Sequence, residues 1–553
     1  MHLEMPIGVD DFQELRSSYY FVDKTCLISS FTGQQAKVTL FTRPRRFGKT
    51  LTLSMLYYFF HVEDAAVHRD LFAGLDVSHD AAAMVQQGTR PVLFLSLKKW
   101  CAASWKEMRE TIQFNLSELY DAQRYLLRSP NLSERAQKLF RTIQLGEADM
   151  VACRSGLSFL MQVMETYYGK KVILLLDEYD VPVQSAWEHD YYDEAISFFR
   201  EFYADALKTN ASLDFAVLTG VLRIAKESIF SALNNLQVDS LVTTRFPTAF
   251  GYTRAEVAKM ATTLGHADKL PELRAWYDGY ALRGHELYNP WSVNNYFSHH
   301  CEAQAYWVNT SGNAILGALM SRTDAEHIEA LKGLLDGGTF SGYLREGVIY
   351  SDIGDDEDAL YTMLYTTGYL TVAGEERGDL ETRYELRLPN KEMLYLFTIE
   401  VIKRYQKGLS KSYLENLMQA FLHGQAERVQ QGLARYLQVV VSSFDVGSRE
   451  SFYHGFVLGM TALLVPSYEV RSNRESGSGR YDIAVFPKDN QRSGVLMEFK
   501  TAKNEQELES RAKEALTQIN ARAYTIEFAD RGIQTLHCYG IAFYGKQVKV
   551  VLG

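Results

Sequence analysis

One uninterrupted stretch, residues 37–60, constrains the fold more than any other part of the chain. "KVTLFT" (37–42) is β-branched and apolar and predicts a buried strand. "KTLTLSMLYYFF" (49–60) has no glycine or proline and predicts a core helix. The loop between them ends in Gly48-Lys49-Thr50, the close of a GxxxxGK[ST] phosphate-binding pattern. A helix start offers free backbone N–H groups and a partial positive charge to a phosphate. Lys49 is expected to reach the β- and γ-phosphates of ATP, and Thr50 to hold Mg²⁺. Arg43 stands where the pattern has its first glycine. Gly48 occupies the point of close backbone approach. Pro44 stiffens the loop, and Arg43, Arg45 and Arg46 add positive charge. The whole run Arg43, Pro44, Arg45, Arg46, Phe47, Gly48, Lys49, Thr50 is therefore the expected nucleotide cradle.

A second strand supports the first. "KVILLLDEYD" (171–180) carries five consecutive apolar residues, as in a central parallel strand buried on both faces. Asp177 and Glu178 emerge at its carboxyl end, where ligands bind in open α/β sheets. Asp177 is expected in the Mg²⁺ shell, and Glu178 is expected to polarise the attacking water. "LDFAVLTGVLRIAKESIF" (213–230) predicts another buried strand and then a helix. Thr219 at that strand's end either senses the γ-phosphate or forms part of a structural turn, and Arg223 is a candidate arginine finger. "RPVLFLSL" (90–97) predicts a further strand.

Near the other end, "GRYDIAVFPKDNQRSGVLMEFK" (479–500) predicts two strands joined by a polar turn. Side chains alternate along a strand, so Glu498 and Lys500 share a face that Phe499 does not. With Asp482 alongside, two carboxylates and an amine converge. Such a trio can hold Mg²⁺ through hard oxygen ligands and activate water against a phosphodiester. Lys500 then orients the water or neutralises developing charge.

"YYFVDKT" (19–25), "FTRPRRFGKT", "LLLDEYD", "TGVLRIAKESIFSALNN", "WYDGY" (276–280) and "YNPWSV" (288–293) together resemble the bacterial AAA-ATPase-like family. Members often carry a C-terminal PD-(D/E)XK nuclease-like domain. "SGSGRYDI", "MEFK" and "ALTQI" resemble that domain, and the expected order α-β-β-β-α-β is its core. The resemblance spans nearly the whole chain. It implies a P-loop ATPase fold with a loop that also reads RPRRFGKT. It puts Asp482, Glu498 and Lys500 in catalytic positions and Gln518 in a supporting one. Glu450 and His454, on a preceding helix (450–464), are additional candidates. A lone helix histidine is more often a satisfied core residue.

The expected fold class is α/β, in three parts. Residues 1–253 form an AAA-like P-loop domain, 254–440 a helical and winged-helix-like region, and 441–553 a nuclease-like domain. The aromatic run 276–280 reads as core or turn. Residues 359–402 read as helix, strand, polar turn, strand, helix, and 408–441 as purely helical. The presumed wing tip "GEERGDL" is acidic, which favours packing over phosphate contact.

Charge and cysteine content narrow the function. A net charge of -10 argues against coating nucleic acid by bulk charge, while leaving room for a local groove. The five cysteines are far apart and form no zinc spacing. No apolar run reaches a membrane span, and the first residues lack a secretory pattern, so a cytoplasmic setting is expected. Nucleic acid, DNA foremost, is the expected partner, with no membrane and with a possible homo-oligomer. The rival readings are a nucleotide-dependent signalling switch and a DNA-binding scaffold with vestigial ATPase.

Overall fold

The structure is a computed structural model. It describes the chain except residues 1–3, 34–35, 209, 223–235, 308–333, 335–337, 346–355, 380, 398–410, 441–452, 454–456, 458–459, 462–463, 465–467, 473–474, 477–478 and 522–524. Two compact units emerge. One comprises Met1–Pro271, Asp278–Cys301 and Ser341–Tyr384, and the other Glu272–Tyr277, Glu302–Phe340 and Glu385–Gly553. Among the described residues no helix is long and apolar enough to cross a membrane.

The first unit is organised by a parallel sheet. Its strands are β1 (Val38–Thr42), β2 (Val92–Ser96), β3 (Val172–Asp177), β4 (Leu213–Gly220) and β5 (Leu236–Asp239). They lie in the order β2-β3-β4-β1-β5. Every residue of β1 and β3 is buried, including Thr39, Thr42 and Asp177 among their apolar neighbours, as in a sheet covered on both faces. The helix Lys49–Phe60 starts and ends where the sequence puts it. Strand β4 separates β1 from β3. That order brings the ends of three strands together: Thr42 of β1 lies beside Gly220, and Leu218 beside Leu176. Between β2 and β3 the chain makes a helical excursion, including Trp105–Ala122, Glu134–Gln144 and Gly156–Tyr168. Serine side chains cap the first two of these helices. Three short strands, β6 (Tyr252–Thr253), β7 (Tyr280–Leu282) and β8 (His285–Tyr288), form a separate antiparallel sheet.

Further along, the helix Glu357–Thr366 precedes β10 (Thr371–Arg377) and β11 (Thr382–Arg387), which form a sheet with β9 (Phe340–Tyr343). The strand–turn–strand expected in this segment is present, and the tip residues Glu375, Glu376 and Arg377 are exposed.

A mixed sheet organises the second unit. It contains β12 (Tyr468–Ser472), β15 (Ile483–Pro487), β16 (Gly494–Thr501), β17 (Leu536–Tyr544) and β18 (Gln547–Leu552), and a small hairpin of β13 (Glu475–Ser476) and β14 (Gly479–Arg480) stands apart from it. Only β16 and β17 run parallel, and the helix Leu508–Ala521 makes the crossover between them. The expected order ends in one strand after that helix; the chain instead makes a hairpin of β17 and β18, turning at Gly545 with φ +54°. The purely helical segment is two helices, Lys411–Leu422 and Ala426–Val440, broken at Gly424 with φ +68°. Leu417, Phe421, Leu433 and Tyr436 pack with Val495, Met497, Tyr539 and Ile541 into one core. On the opposite face Leu496 packs with Tyr481, Ile519 and Phe528. The sheet is thus covered on both sides. Most of the preceding helix expected over 450–464 lies outside the described residues.

Candidate functional site

The phosphate loop leaves β1 and turns into its helix through two left-handed residues, Arg46 (φ +67°) and Gly48 (φ +84°). Glycine adopts that conformation without a steric penalty. A side-chain carbon at Gly48 meets no protein atom within 4 Å, so backbone conformation, and not packing, selects glycine here. Residue 43 is not in the left-handed region, which explains how arginine stands in for the pattern's first glycine.

Lys49 lies beneath the loop, and its Nζ donates to the carbonyls of Arg43 (2.9 Å) and Pro44 (2.8 Å). Burial lowers its pKa to about 8, against the opposing pull of Glu178, Asp180 and Asp177. The Thr50 hydroxyl donates to Asp177 Oδ2 at 2.8 Å, and the Thr219 hydroxyl donates to Asp177 Oδ1 at 2.6 Å. Asp177 is only 1% exposed, so these two hydroxyls hold a carboxylate that is shielded from water. Glu178 sits beside them with φ +53°, an uncommon conformation for a non-glycine residue. Its carboxyl pKa is raised by burial and then by Asp177.

The basic residues of the loop divide. The Arg43 guanidinium does not line a phosphate cradle. It is 1% exposed, ion-paired with Asp239 at the end of β5, and bonded to Thr244 Oγ1 at 2.9 Å. A charge buried that deeply needs a partner, and the structure assigns the side chain to anchoring β5. Arg45 donates to Gln184 Oε1 at 3.0 Å. The Arg46 guanidinium lies 4.4 Å from the centroid of the Trp291 ring. Phe47 is buried, edge-on to Tyr280 of the "WYDGY" run at 5.2 Å. Its side chain is therefore core, in contact with Tyr280, one of the aromatic residues read as core or turn from the sequence. Pro44 lines a small apolar pocket with Phe47, Leu241 and Tyr365. Arg223, Glu450 and His454 lie outside the described residues.

In the second unit the antiparallel β15–β16 pairing brings Ile483 opposite Met497. Asp482, just before β15, accepts from the backbone N–H of Phe499 at 2.7 Å. Glu498 is 2% exposed and accepts from Gln518 Nε2 on the crossover helix. Lys500 Nζ stands 3.9 Å from Glu498 Oε1. The sequence-predicted quartet Asp482, Glu498, Lys500 and Gln518 is therefore brought together. Burial pushes the Asp482 carboxyl up to about 6, and the Phe499 amide and the Lys500 charge oppose that shift.

Sequence reasoning missed what lets Gln518 reach Glu498. Gly540 of β17 lies directly beside Glu498 in the sheet. A side-chain carbon there falls 2.1 Å from the Ala512 carbonyl oxygen and 2.6 Å from the Leu516 nitrogen. Glycine thus lets the helix lie against the strand. The available signal was one glycine inside the apolar run "CYGIAF".

Both sites suit a hard divalent cation in donor chemistry. Thr50 and Asp177 offer a hydroxyl and a carboxylate meeting at one point. Asp482 and Glu498 offer two carboxylates, one just before β15 and one on the neighbouring β16. Among the described residues no three histidine, cysteine or acidic side chains cluster. Mg²⁺ needs only one or two carboxylates and keeps several waters.

Residues 6–230 match the family model described as "Predicted AAA-ATPase". Residues 448–552 match that of the "PD-(D/E)XK nuclease superfamily". The chain is similar to a protein of Azotobacter chroococcum mcd 1, described as "Uncharacterized protein in vnfD 5'region". The two are 26% identical over 559 residues, covering 98% of this chain and 96% of the relative. The layout is that of an AAA-ATPase-like domain followed by a PD-(D/E)XK nuclease-like domain, on the α/β folds described above.

Proposed function

We propose that the protein binds and hydrolyses ATP at the phosphate loop, and that its nucleotide state governs metal-dependent cleavage of nucleic-acid phosphodiesters, DNA foremost. The observation that carries this reading is the convergence of Lys49, Thr50, Asp177 and Thr219 behind a left-handed Gly48. The nuclease half rests on the Asp482–Glu498–Lys500–Gln518 grouping.

At the first site Lys49 exchanges two loop carbonyls for phosphate oxygens. Thr50 and Asp177 are the residues that would hold Mg²⁺. Thr219 keeps Asp177 oriented and senses the γ-phosphate. Glu178 orients the attacking water, and its raised pKa fits a group poised to take a proton. Arg223 serves as the transition-state cation, across a subunit boundary if the chain assembles with copies of itself. At the second site Asp482 and Glu498 would hold the cation, Gln518 fixes the Glu498 rotamer, and Lys500 orients water or neutralises charge on the phosphate. Bound Mg²⁺ supplies charge neutralisation and acidifies water at either site. The setting that fits such a modular protein is defence against mobile DNA, or its maintenance.

The test is cleavage of plasmid and single-stranded DNA with Mg²⁺ or Mn²⁺, with and without ATP, on the wild type, Lys49→Ala and Lys500→Ala. Cleavage lost in Lys500→Ala and altered by ATP or Lys49→Ala supports an ATP-governed nuclease. Intact ATP hydrolysis with no cleavage of any substrate supports a nucleotide-dependent switch whose last domain only binds.

A further inference from the structure

The acidic strand ends in four polar residues, and the proposed chemistry uses only two of them. Asp180 is 2% exposed. It stands at the start of the helix Val181–Glu188, yet its carboxylate does not cap that helix. It reaches across to the exit of β4 instead, where Oδ2 accepts from the backbone N–H groups of Val221 (2.8 Å) and Leu222 (2.9 Å). Tyr179 makes the complementary bond, its hydroxyl donating to the Leu222 carbonyl at 2.6 Å. The Tyr179 amide donates to the Thr219 carbonyl at 3.0 Å. Gly220 leaves no space between these parts: a side-chain carbon there falls 2.7 Å from both Asp180 Oδ1 and Tyr179 Cε1. The Gly220 carbonyl in turn accepts from the Arg43 amide at 3.1 Å, at the first residue of the phosphate loop.

Residues 219–222 are thus held by backbone bonds from both sides, and Thr219 at their start holds Asp177. We infer that Asp180, with Tyr179, is a positioning residue for nucleotide turnover: it fixes the β4 exit, and through it the Thr219 hydroxyl against Asp177. This deepens the proposed ATPase reading and rests on it. Asp180 touches neither the loop's phosphate-facing groups nor Lys49 in any hydrogen bond of the described structure, so its effect falls on turnover and on discrimination of the γ-phosphate. Capture of the nucleotide's other phosphates is left to the loop.

The experiment is a double-mutant cycle of Asp180→Ala with Thr219→Ala, with Asp180→Asn as the conservative variant. It is read as kcat and KM for ATP, and as the ATP-over-ADP affinity ratio from titrations with a fluorescent nucleotide. Asp180→Ala is expected to lower kcat by about 10- to 100-fold with KM changed by less than about threefold, and to compress the ATP-over-ADP ratio. In the Thr219→Ala background the same substitution is expected to add almost nothing, because both act on one bond. Asp180→Asn keeps an acceptor oxygen for both N–H groups and recovers most of the turnover. Additive losses, or a rise in KM equal to the loss in kcat/KM, overturn the inference while leaving the ATPase reading standing. If the wild type binds nucleotide but hydrolyses none, the affinity-ratio cycle alone decides. Wild-type protein that binds neither nucleotide sinks both.

Discussion

The two polar sites solve one problem, holding acids on buried strands, in opposite ways. In the N-terminal site the hydroxyls of Thr50 and Thr219 hold Asp177, and the main chain holds the rest. Lys49 is bonded to two carbonyls, Asp180 to two amides, and the loop's shape comes from left-handed residues. In the C-terminal site side chains from one strand and one helix hold each other: Glu498 with Gln518 and Lys500, and Asp482 with a single amide. A site made of backbone tolerates exchange of the side chains around it, as Arg43 in the glycine position illustrates. A site made of side chains depends on the distance between the elements that carry them.

That contrast predicts where each site breaks. Lys49→Ala removes the side-chain cation that two loop carbonyls hold beneath the loop. Its expected cost is ~10²–10³-fold in ATP turnover, checked by phosphate release, with the melting temperature little changed. Lys500→Ala is expected to cost about 10²-fold in DNA cleavage while leaving ATP hydrolysis intact. If Lys500→Ala lowers ATP hydrolysis as much as cleavage without altering nucleotide binding, the division of labour between the sites is wrong.

The same contrast explains what was legible in the sequence. The strand–loop–helix of 37–60 is one contiguous pattern, and the helix Lys49–Phe60 follows from it directly. Asp177 and Glu178 were legible because an apolar run buried on both faces must end at a sheet edge. The fate of Arg43 was not legible: Asp239 lies 196 residues away, and nothing local marks the pair. The segment 408–441 was legible as helical, but its packing was not, because the partner surface on β16 and β17 comes much later in the chain. Gln518 entered only through resemblance, since a glutamine on a helix has no signal of its own. The glycine that lets it reach Glu498 is a tertiary requirement that periodicity does not encode.

A smaller effect, on stability, follows at that glycine. Gly540→Ala places a carbon 2.1 Å from a backbone oxygen, which no side-chain rotation relieves. The helix Leu508–Ala521 must move away from β17. The expected loss is about 1–3 kcal/mol, measured by urea denaturation of the full chain. DNA cleavage is expected to fall further than the loss of folded protein accounts for, because Gln518 leaves Glu498. The matching test at the other site is Gly48→Ala. There no protein atom is in the way, and the strain is conformational alone, worth about 1 kcal/mol. Equal destabilisation by the two substitutions contradicts the distinction between a backbone-built and a side-chain-built site.

The smallest expected effect separates the sites by pH. Burial raises the Asp482 carboxyl from its ordinary 3.8 to about 6 in the protein without bound cation. The folded chain then binds this proton more tightly than the unfolded chain, which has already released it above about pH 4. The contribution to stability is therefore greatest when Asp482 is protonated, and it declines as pH rises from about 4 through about 6. In EDTA the melting temperature of the C-terminal transition is expected to fall across that window by a few degrees, and Asp482→Asn flattens the slope. Adding Mg²⁺ above pH 6 reverses the decline, because the cation binds the same carboxylate once it is charged. Lys49 gives the opposite sign. Its pKa is lowered to about 8, so the folded chain favours the neutral amine, and its stability contribution rises as pH climbs through that value. Nucleotide binding near pH 8 is accordingly expected to take up a proton, which calorimetry in buffers of different ionisation enthalpy detects. Proton uptake that persists unchanged in Lys49→Met assigns the linkage to another group and removes the electrostatic half of the comparison.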